Sequence, residues 1–263
     1  MCPVCNGILE RMEHTYRCKK AHSFDIARQG YVNLLVVQNK HSLNPGDTRQ
    51  QVLSRREFLE GGYYEPIADA VCQTAQGCTG PIVDVGCGEG YYSNRLSQSL
   101  NTRLVGLDIS KEAVRCAAGK YKNAQWLCGS AAHLPVEDHS VGLLTSLFAL
   151  TVPEEFHRVL RPDGAFIQVL AAEDHLLGLK SIIYPELTHK EKITTPDIPG
   201  FSLEKSTPVR FSFTVEGRQV QNLLSMTPHV YRISKEGAQR LAQTEILTDT
   251  ASCIVNLYKP INY

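Results

Sequence analysis

Four residues near the start of the chain have the types and spacing of a metal site. Cys2-Pro3-Val4-Cys5 is followed by twelve residues and then by Cys18-Lys19-Lys20-Ala21-His22, a C-x2-C-x12-C-x3-H array. Three thiolates and one imidazole complete a tetrahedral zinc ion, and four protein ligands leave no position open to substrate, so such an ion is structural. Taken singly, each cysteine also reads as a small buried hydrophobe. His14 is a weaker ligand candidate, because it falls at the tip of the hairpin expected over Gly7 to Arg17. A segment of about 25 residues buries too little apolar surface to fold unaided, so metal ligation would supply much of its folding energy.

A second group of residues is built to hold an anionic or nucleoside ligand. Val83-Asp84-Val85-Gly86-Cys87-Gly88-Glu89-Gly90 joins a buried strand, opening at Pro81-Ile82, to a helix over Tyr91–Leu100. A strand, glycine loop and helix in that order bring backbone N–H groups to a helix N-terminus. The spacing differs from the G-x-G-x-x-G of dinucleotide loops, since position 91 is Tyr. Asp108 closes a second apolar strand, Leu104-Val105-Gly106-Leu107-Asp108, 22 residues beyond Gly86. An acid at about that distance accepts hydrogen bonds from a ribose diol at the carboxyl edge of a doubly wound sheet. The alternative is a cap on the helix that begins near Lys111.

An acid two residues before the first of three alternating glycines resembles class I S-adenosylmethionine (SAM) methyltransferases. The stretch Cys128-Gly129-Ser130 through Leu144 is similar to the part of those enzymes that flanks the adenine, although many members carry Asp where Ser130 stands. Phe156 to Ile167 reads as a helix end, a Pro162-Asp163-Gly164 turn and a fifth strand. The fold expected is α/β, a Rossmann-like class I SAM-dependent methyltransferase with a small N-terminal zinc-binding module.

The elements around these motifs have room to position them. The chain has 263 residues, 43% of them apolar, enough for one large domain and a small accessory one. No apolar run reaches the roughly 18 residues of a membrane span, and no signal-peptide pattern opens the chain. Nine dispersed cysteines argue for a reducing compartment, so a cytoplasmic location is expected. Net charge is zero, but residues 1–56 hold 9 Lys+Arg against 4 Asp+Glu, and the remainder holds 18 against 23. A basic end on an acidic body suits a polyanionic partner as well as a solvated surface.

Phe24 to Leu35 reads as an ordered connection, and Gln38 to Gln50 as a polar stretch with an exposed loop. A helix follows over Arg49–Glu60 with Arg55 and Arg56 on its surface, then a Gly61-Gly62 break and a helix over Ile67–Gln76. This divides the chain into a zinc module at 1–37, a linker and connecting helix at 38–62, and a methyltransferase domain at 63–263. From His189 onward, strands are expected around Val209–Val215 and Cys253–Tyr258, and Leu223-Leu224 lies on a helix ending before Pro228.

The zinc array, Phe24-Asp25, Gly30-Tyr31-Val32-Asn33-Leu34-Leu35, Pro45-Gly46-Asp47, the Val85–Tyr92 loop and Met226-Thr227-Pro228 together resemble the RlmA family of bacterial 23S rRNA (guanine-N1)-methyltransferases. That resemblance spans essentially the whole chain. It implies zinc held by Cys2, Cys5, Cys18 and His22, a module that recognises an rRNA hairpin, and commonly a homodimer without a membrane partner. For SAM it implies contacts from Tyr64, Gly88, Glu89 and His175, beside the Asp84, Gly86, Gly90, Asp108 and Ser130 of the general pattern. Tyr64 as helix-start packing and His175 as a surface cap are the plain alternatives. Family members often place proline directly after Ala149, where this chain has Leu150.

Guanine N1 is protonated at neutral pH, so methylation there requires loss of a proton to a base or a stabilised oxyanion at O6. Glu173, Asp174 and His175 follow the fifth strand; Glu173 and His175 are the catalytic candidates. A base attacked on its pairing edge must leave its stack, and Phe148, Tyr184 and Tyr231 are candidate platforms. Two rivals remain: a methyltransferase for a small molecule, and a silent zinc protein that binds RNA or the ribosome.

Overall fold

A computed structural model describes residues 1–36, 45–187 and 191–261. The first part of the expected linker, 38–44, and His189 lie outside these described residues. At the N-terminus β1 (Leu9–Arg11), β2 (Thr15–Cys18) and β3 (Ser23–Asp25) form an antiparallel sheet of three strands. Leu9 pairs with Cys18 and Arg11 with Tyr16, which leaves Met12 to His14 as the hairpin tip. The chain then forms β4 (Val32–Asn33), which runs parallel to β7 (Gln125–Cys128) at the edge of the main sheet. The Phe24–Leu35 connection therefore contains strands, too short for any periodicity to reveal.

The main sheet adds β5 (Ile82–Val85), β6 (Leu104–Asp108), β8 (Val141–Leu147), β9 (Leu160–Ala171), β10 (Phe201–Glu216) and β11 (Ile246–Pro260), in the order β10-β11-β9-β8-β5-β6-β7-β4. From β4 to β9 every pairing is parallel, and β11 is antiparallel to both β9 and β10. Strands β5 and β8 are buried at every position, as mainly apolar strands are in a sheet covered on both faces, and their buried polar residues include Asp84 and Thr145, which pair with each other. Successive strands step outward from β5 through β6 to β7, and the chain then crosses back to β8. That reversal opens a crevice at the carboxyl ends of β5 and β8, the place where doubly wound sheets bind ligands.

Helices α1 (Arg49–Glu60), α2 (Glu65–Thr74), α3 (Tyr91–Leu100), α4 (Lys111–Lys120), α5 (Pro153–Val159), α6 (Leu177–Ile183), α7 (Arg218–Ser225) and α8 (Lys235–Ala242) cover the sheet. Thr48 starts α1 with a capping box to Gln51, and Ser110 caps α4 by accepting the Ala113 N–H. One core includes Phe58, Ile67, Trp126 and Leu223; the other includes Val83, Leu127, Phe156 and Phe166. Leu9, Tyr16, Phe24 and Ile26 of the N-terminal segment lie against the second.

Two local readings need correction. Pro162-Asp163-Gly164 falls inside β9 and not ahead of it: β9 already begins at Leu160, which pairs with Val141, and the ladder resumes at Ala165 opposite Leu143. Residues 161–164 bulge from the strand, because a proline without an N–H cannot extend the ladder. Helix α2 starts at Glu65, with Pro66 in its first turn, ahead of the Ile67 start that the apolar pattern suggested.

Candidate functional site

The metal ligands converge. The ligand atoms of Cys2, Cys5, Cys18 and His22 all lie within 4.8 Å of one another. Cys18 Sγ is 3.3 Å from His22 Nδ1, Cys2 Sγ is 3.6 Å from the same nitrogen, and the Cys5 and Cys18 sulfurs are 3.7 Å apart. Ligands about 2.0–2.3 Å from a tetrahedral ion are separated by roughly 3.3–3.8 Å, so the cluster fits zinc. Two tight turns present the ligands: Asn6 N–H bonds to the Cys2 carbonyl, and Ala21 N–H to the Cys18 carbonyl. Asn6 and Ala21 both take left-handed backbone angles in these turns. His14 stays at the hairpin tip, apart from the cluster.

The glycine loop and Asp108 form one cradle. Asp108 Oδ2 accepts the Gly88 N–H at 2.9 Å, and Oδ1 accepts the Ser110 N–H at 2.7 Å. Ser110, not Asp108, therefore caps α4. Burial pushes the Asp108 carboxyl above the usual range. Gly86 turns the chain with a positive φ, and a Cβ there would stand 2.6 Å from that of Ala149. That contact brings the loop after β8 directly against the loop after β5. Ser130 lies close by, since Gly129 N–H bonds to the Asp108 carbonyl and Ser130 Oγ accepts the Ala132 N–H at 3.2 Å.

Asp84 and Glu89 have different surroundings. Asp84 accepts hydroxyls from Ser93 and from Thr145, the latter at 2.7 Å, and so ties β5 to α3 and β8; burial raises its pKa to about 6. Glu89 is equally buried, and burial raises it to about 7. Its Oε1 accepts the Tyr91 N–H at 3.2 Å, but Oε2 has no hydrogen-bond partner among the described residues. A buried carboxylate oxygen left open beside a glycine loop suits an ammonium, and the cradle therefore fits the amino-acid tail of SAM.

Tyr64 and His175, 111 residues apart in the chain, meet at the same edge: the tyrosine oxygen is 3.4 Å from His175 Nε2. Tyr64 is buried among Phe58, Phe211 and Phe213, and burial raises its pKa. His175 Nδ1 accepts the Ser252 N–H at 3.1 Å, and burial lowers its pKa to about 4. Its neutral ring therefore carries its proton on Nε2. Phe148 stacks on the His175 ring at 6.1 Å with an interplanar angle of 27°. Glu173 is exposed on the turn before His175, while Asp174 accepts the Arg210 guanidinium at 2.9 Å.

One neighbour of the cradle escapes the sequence reading. Arg55 was expected on the surface of α1, yet its guanidinium pairs with Asp47, donates to the Met226 carbonyl at 3.3 Å and lies against Gly88. The Pro45-Gly46-Asp47 segment is fastened beside it, where the Asp47 carbonyl accepts the Ser110 hydroxyl at 2.7 Å. Helix docking of this kind leaves no local trace. The one available signal is the Pro-Gly-Asp motif shared with the resembled family.

Fold and site together define a class I SAM-dependent methyltransferase that carries a zinc ribbon. Residues 1–43 match the family described as "RlmA, N-terminal", and residues 82–164 match a "Methyltransferase domain". Over 99% of its length the chain is 31% identical to 97% of a Micromonospora griseorubida protein named "Putative 23S rRNA (guanine-N(1)-)-methyltransferase". It is 35% identical, over 92% of its length and 89% of the relative, to the 23S rRNA (guanine(748)-N(1))-methyltransferase of Streptomyces fradiae. A solved structure headed "The Structure of a Putative Type II Methyltransferase from Anaeromyxobacter dehalogenans" superposes with a TM-score of 0.53 at 17% identity, covering 75% of this chain and 96% of that one, which speaks for the fold alone. The chain belongs to the RlmA family of 23S rRNA (guanine-N1)-methyltransferases. Its cofactors are SAM and a structural zinc ion.

Proposed function

We propose that this protein methylates N1 of a guanine in a hairpin of 23S rRNA. The observation that carries the reading is that one chain keeps both the closed metal cluster and the Gly88–Asp108 cradle, across the full length shared with relatives named for that reaction. Residues 1–37 serve as the RNA-recognition module, 38–62 connect it, and 63–263 carry out transfer. Tyr64, Asp84, Gly86, Gly88, Glu89, Gly90, Asp108, Ser130 and His175 form or brace the SAM site, with Cys2, Cys5, Cys18 and His22 on zinc.

Bound SAM supplies an electrophilic methyl group. The protein's part is to hold the acceptor nitrogen in line and to accept its proton, since N1–CH3 bond formation and methyl–sulfur cleavage leave the N1 proton to be removed. His175 is a poor base, because Nδ1 is taken by the Ser252 N–H and Nε2 holds the proton; it acts as a hydrogen-bond donor. Glu173 is then the candidate base of this turn.

The RNA path we propose runs past α1 and α4. A cleft of about 270 Å³ between α1, α4 and Gln29 is lined by Arg49, Arg56, Arg115 and Lys120, side chains suited to phosphates. Family resemblance adds a homodimer and a cytoplasmic location, both open to light scattering and cell fractionation; no helix among the described residues is long and apolar enough to cross a membrane. The deciding experiment incubates the zinc-loaded protein and labelled SAM with hairpins transcribed from 23S rRNA, then maps the product by mass spectrometry. N1-methylguanosine at one position is expected. Transfer only when a metabolite extract replaces the hairpins, or no transfer at all, overturns the reading in favour of one of its rivals.

A further inference from the structure

We infer that Phe148 is the platform on which the acceptor base stacks, at the crevice where the strand order reverses. The inference rests on the proposed function, which makes the acceptor a purine taken out of an RNA helix. Phe148 is the first residue beyond β8, and its neighbour Ala149 abuts the Gly86 turn of the cofactor cradle.

Three independent observations make it a platform rather than core. First, the side chain is 41% exposed, although it follows a strand buried at every position. Second, one face of the ring is backed by the His175 ring, and His175 is itself held by Ser252 and Tyr64. An exposed aromatic ring stiffened from behind offers its other face to a planar ligand. Third, Phe148 has a φ of 54°, a left-handed conformation that costs a bulky residue energy and persists only where its surroundings impose it. The surroundings do so at both ends of the loop: Phe148 N–H bonds to the Val169 carbonyl at 2.9 Å, and the Ser146 hydroxyl donates to the Leu150 carbonyl at 3.0 Å.

The two other candidate platforms are used differently. The Tyr184 hydroxyl sits 2.8 Å from His229 Nδ1, and the exposed Tyr231 ring is tied by its hydroxyl to Gln51 of α1. Phe148 alone among the three leaves a strand of the crevice. A base stacked on it would lie beside the cradle, with its pairing edge free to meet the methyl donor.

The test compares Phe148→Leu, Phe148→Gly and Phe148→Tyr in the full-length zinc-loaded protein. Readouts are kcat/KM on the mapped rRNA hairpin, affinity for S-adenosylhomocysteine by calorimetry, and emission from a hairpin carrying 2-aminopurine at the methylated position. Base–aromatic stacking predicts a loss of about 10- to 100-fold in kcat/KM for Phe148→Leu and Phe148→Gly, with Phe148→Tyr within about threefold of the parent. Cofactor affinity should hold in all three, and 2-aminopurine should be quenched by the parent and Phe148→Tyr but bright with Phe148→Leu. The Tm of Phe148→Gly should equal or exceed the parent's, since glycine removes the left-handed strain. Parental kcat/KM in Phe148→Leu, or a matching loss of cofactor affinity, overturns the platform while the proposed function stands. Failure of the parent to methylate any hairpin overturns both.

Discussion

The two parts of this molecule are held together by different physics. Among residues 1–30 the only buried side chains are Cys2 and Cys18, both members of the metal cluster. In the main sheet, β8 is buried at all its positions and two apolar cores flank the strands. The first part is closed by a few coordinate bonds, the second by many weak contacts. A module whose order depends on one ion can leave charged side chains such as Arg11, Arg17, Lys19, Lys20 and Arg28 exposed, because few are needed for a core. The body must spend its apolar residues on packing, and it concentrates polar groups at one edge of the sheet.

The strongest way to break that comparison is to remove the ion. Structural zinc contributes on the order of 10 kcal/mol or more to small zinc-dependent domains. Cys18→Ser, or chelation, should abolish hydrogen-exchange protection in residues 1–30 while the body keeps a cooperative transition and binds S-adenosylhomocysteine within about threefold of the parent. Methylation of the hairpin should fall by about 100-fold or more. Loss of cofactor binding along with the module would show that Leu9, Tyr16 and Phe24 join the two parts into one cooperative unit.

On the body side the corresponding single point is Asp108. Replacing it with Ala leaves the half-buried Gly88 N–H and the Ser110 N–H without their acceptor, at a cost of about 1–3 kcal/mol for a donor left without water. Calorimetry should show S-adenosylhomocysteine affinity lowered about 100-fold, with Asp108→Asn intermediate because it keeps one acceptor oxygen. The zinc content should stay at one per chain.

Glu89 sharpens the contrast through pH. Its carboxyl moves from an ordinary 4.5 to about 7 in the folded protein because burial disfavours the charge. The folded state thus binds a proton more tightly than the unfolded one, so this contribution to stability is complete below pH 4.5 and disappears as pH rises through 7. In the cofactor-free protein Glu89→Gln should flatten the fall in Tm between pH 5 and 8. Asp84, raised to about 6, leaves a smaller decline of the same sign at lower pH. If an ammonium settles on Glu89 Oε2, binding at pH 7 should release about half a proton, seen as a dependence of the binding heat on buffer ionisation enthalpy and absent in Glu89→Gln. No such dependence in the parent would separate Glu89 from the ligand.

Much of this was legible because the signals are local. The candidate zinc ligands, which the structure brings into one cluster, lie within 21 residues, the glycine loop is contiguous, and helices such as Arg49–Glu60 and Tyr91–Leu100 carry their own boundaries in Thr48 and Gly90. What escaped depends on distant partners. Two residues of β4 are a strand only because β7 offers its edge, and Arg55 belongs to the cradle only because α1 docks across it. The roles open to His175 follow from a backbone N–H 77 residues away, which decides which ring nitrogen holds the proton. Chain spacing cannot contain that.

The smallest expected effect concerns the seam between the two parts. Arg49 and Arg115 line the cleft beside Gln29, and Arg115 forms a loose ion pair with Glu112 at 3.6 Å. If both meet phosphates, the double variant Arg49→Gln with Arg115→Gln should lower the slope of log affinity against log salt for the hairpin by about 1.4 to 1.8, and should weaken binding several-fold at moderate salt. Cofactor affinity and Tm should change little, since exposed charges contribute about 0–1 kcal/mol to stability. An unchanged salt slope would move the RNA path off this cleft, leaving the zinc module's own basic surface, Lys19, Lys20 and Arg17, to carry the phosphate contacts.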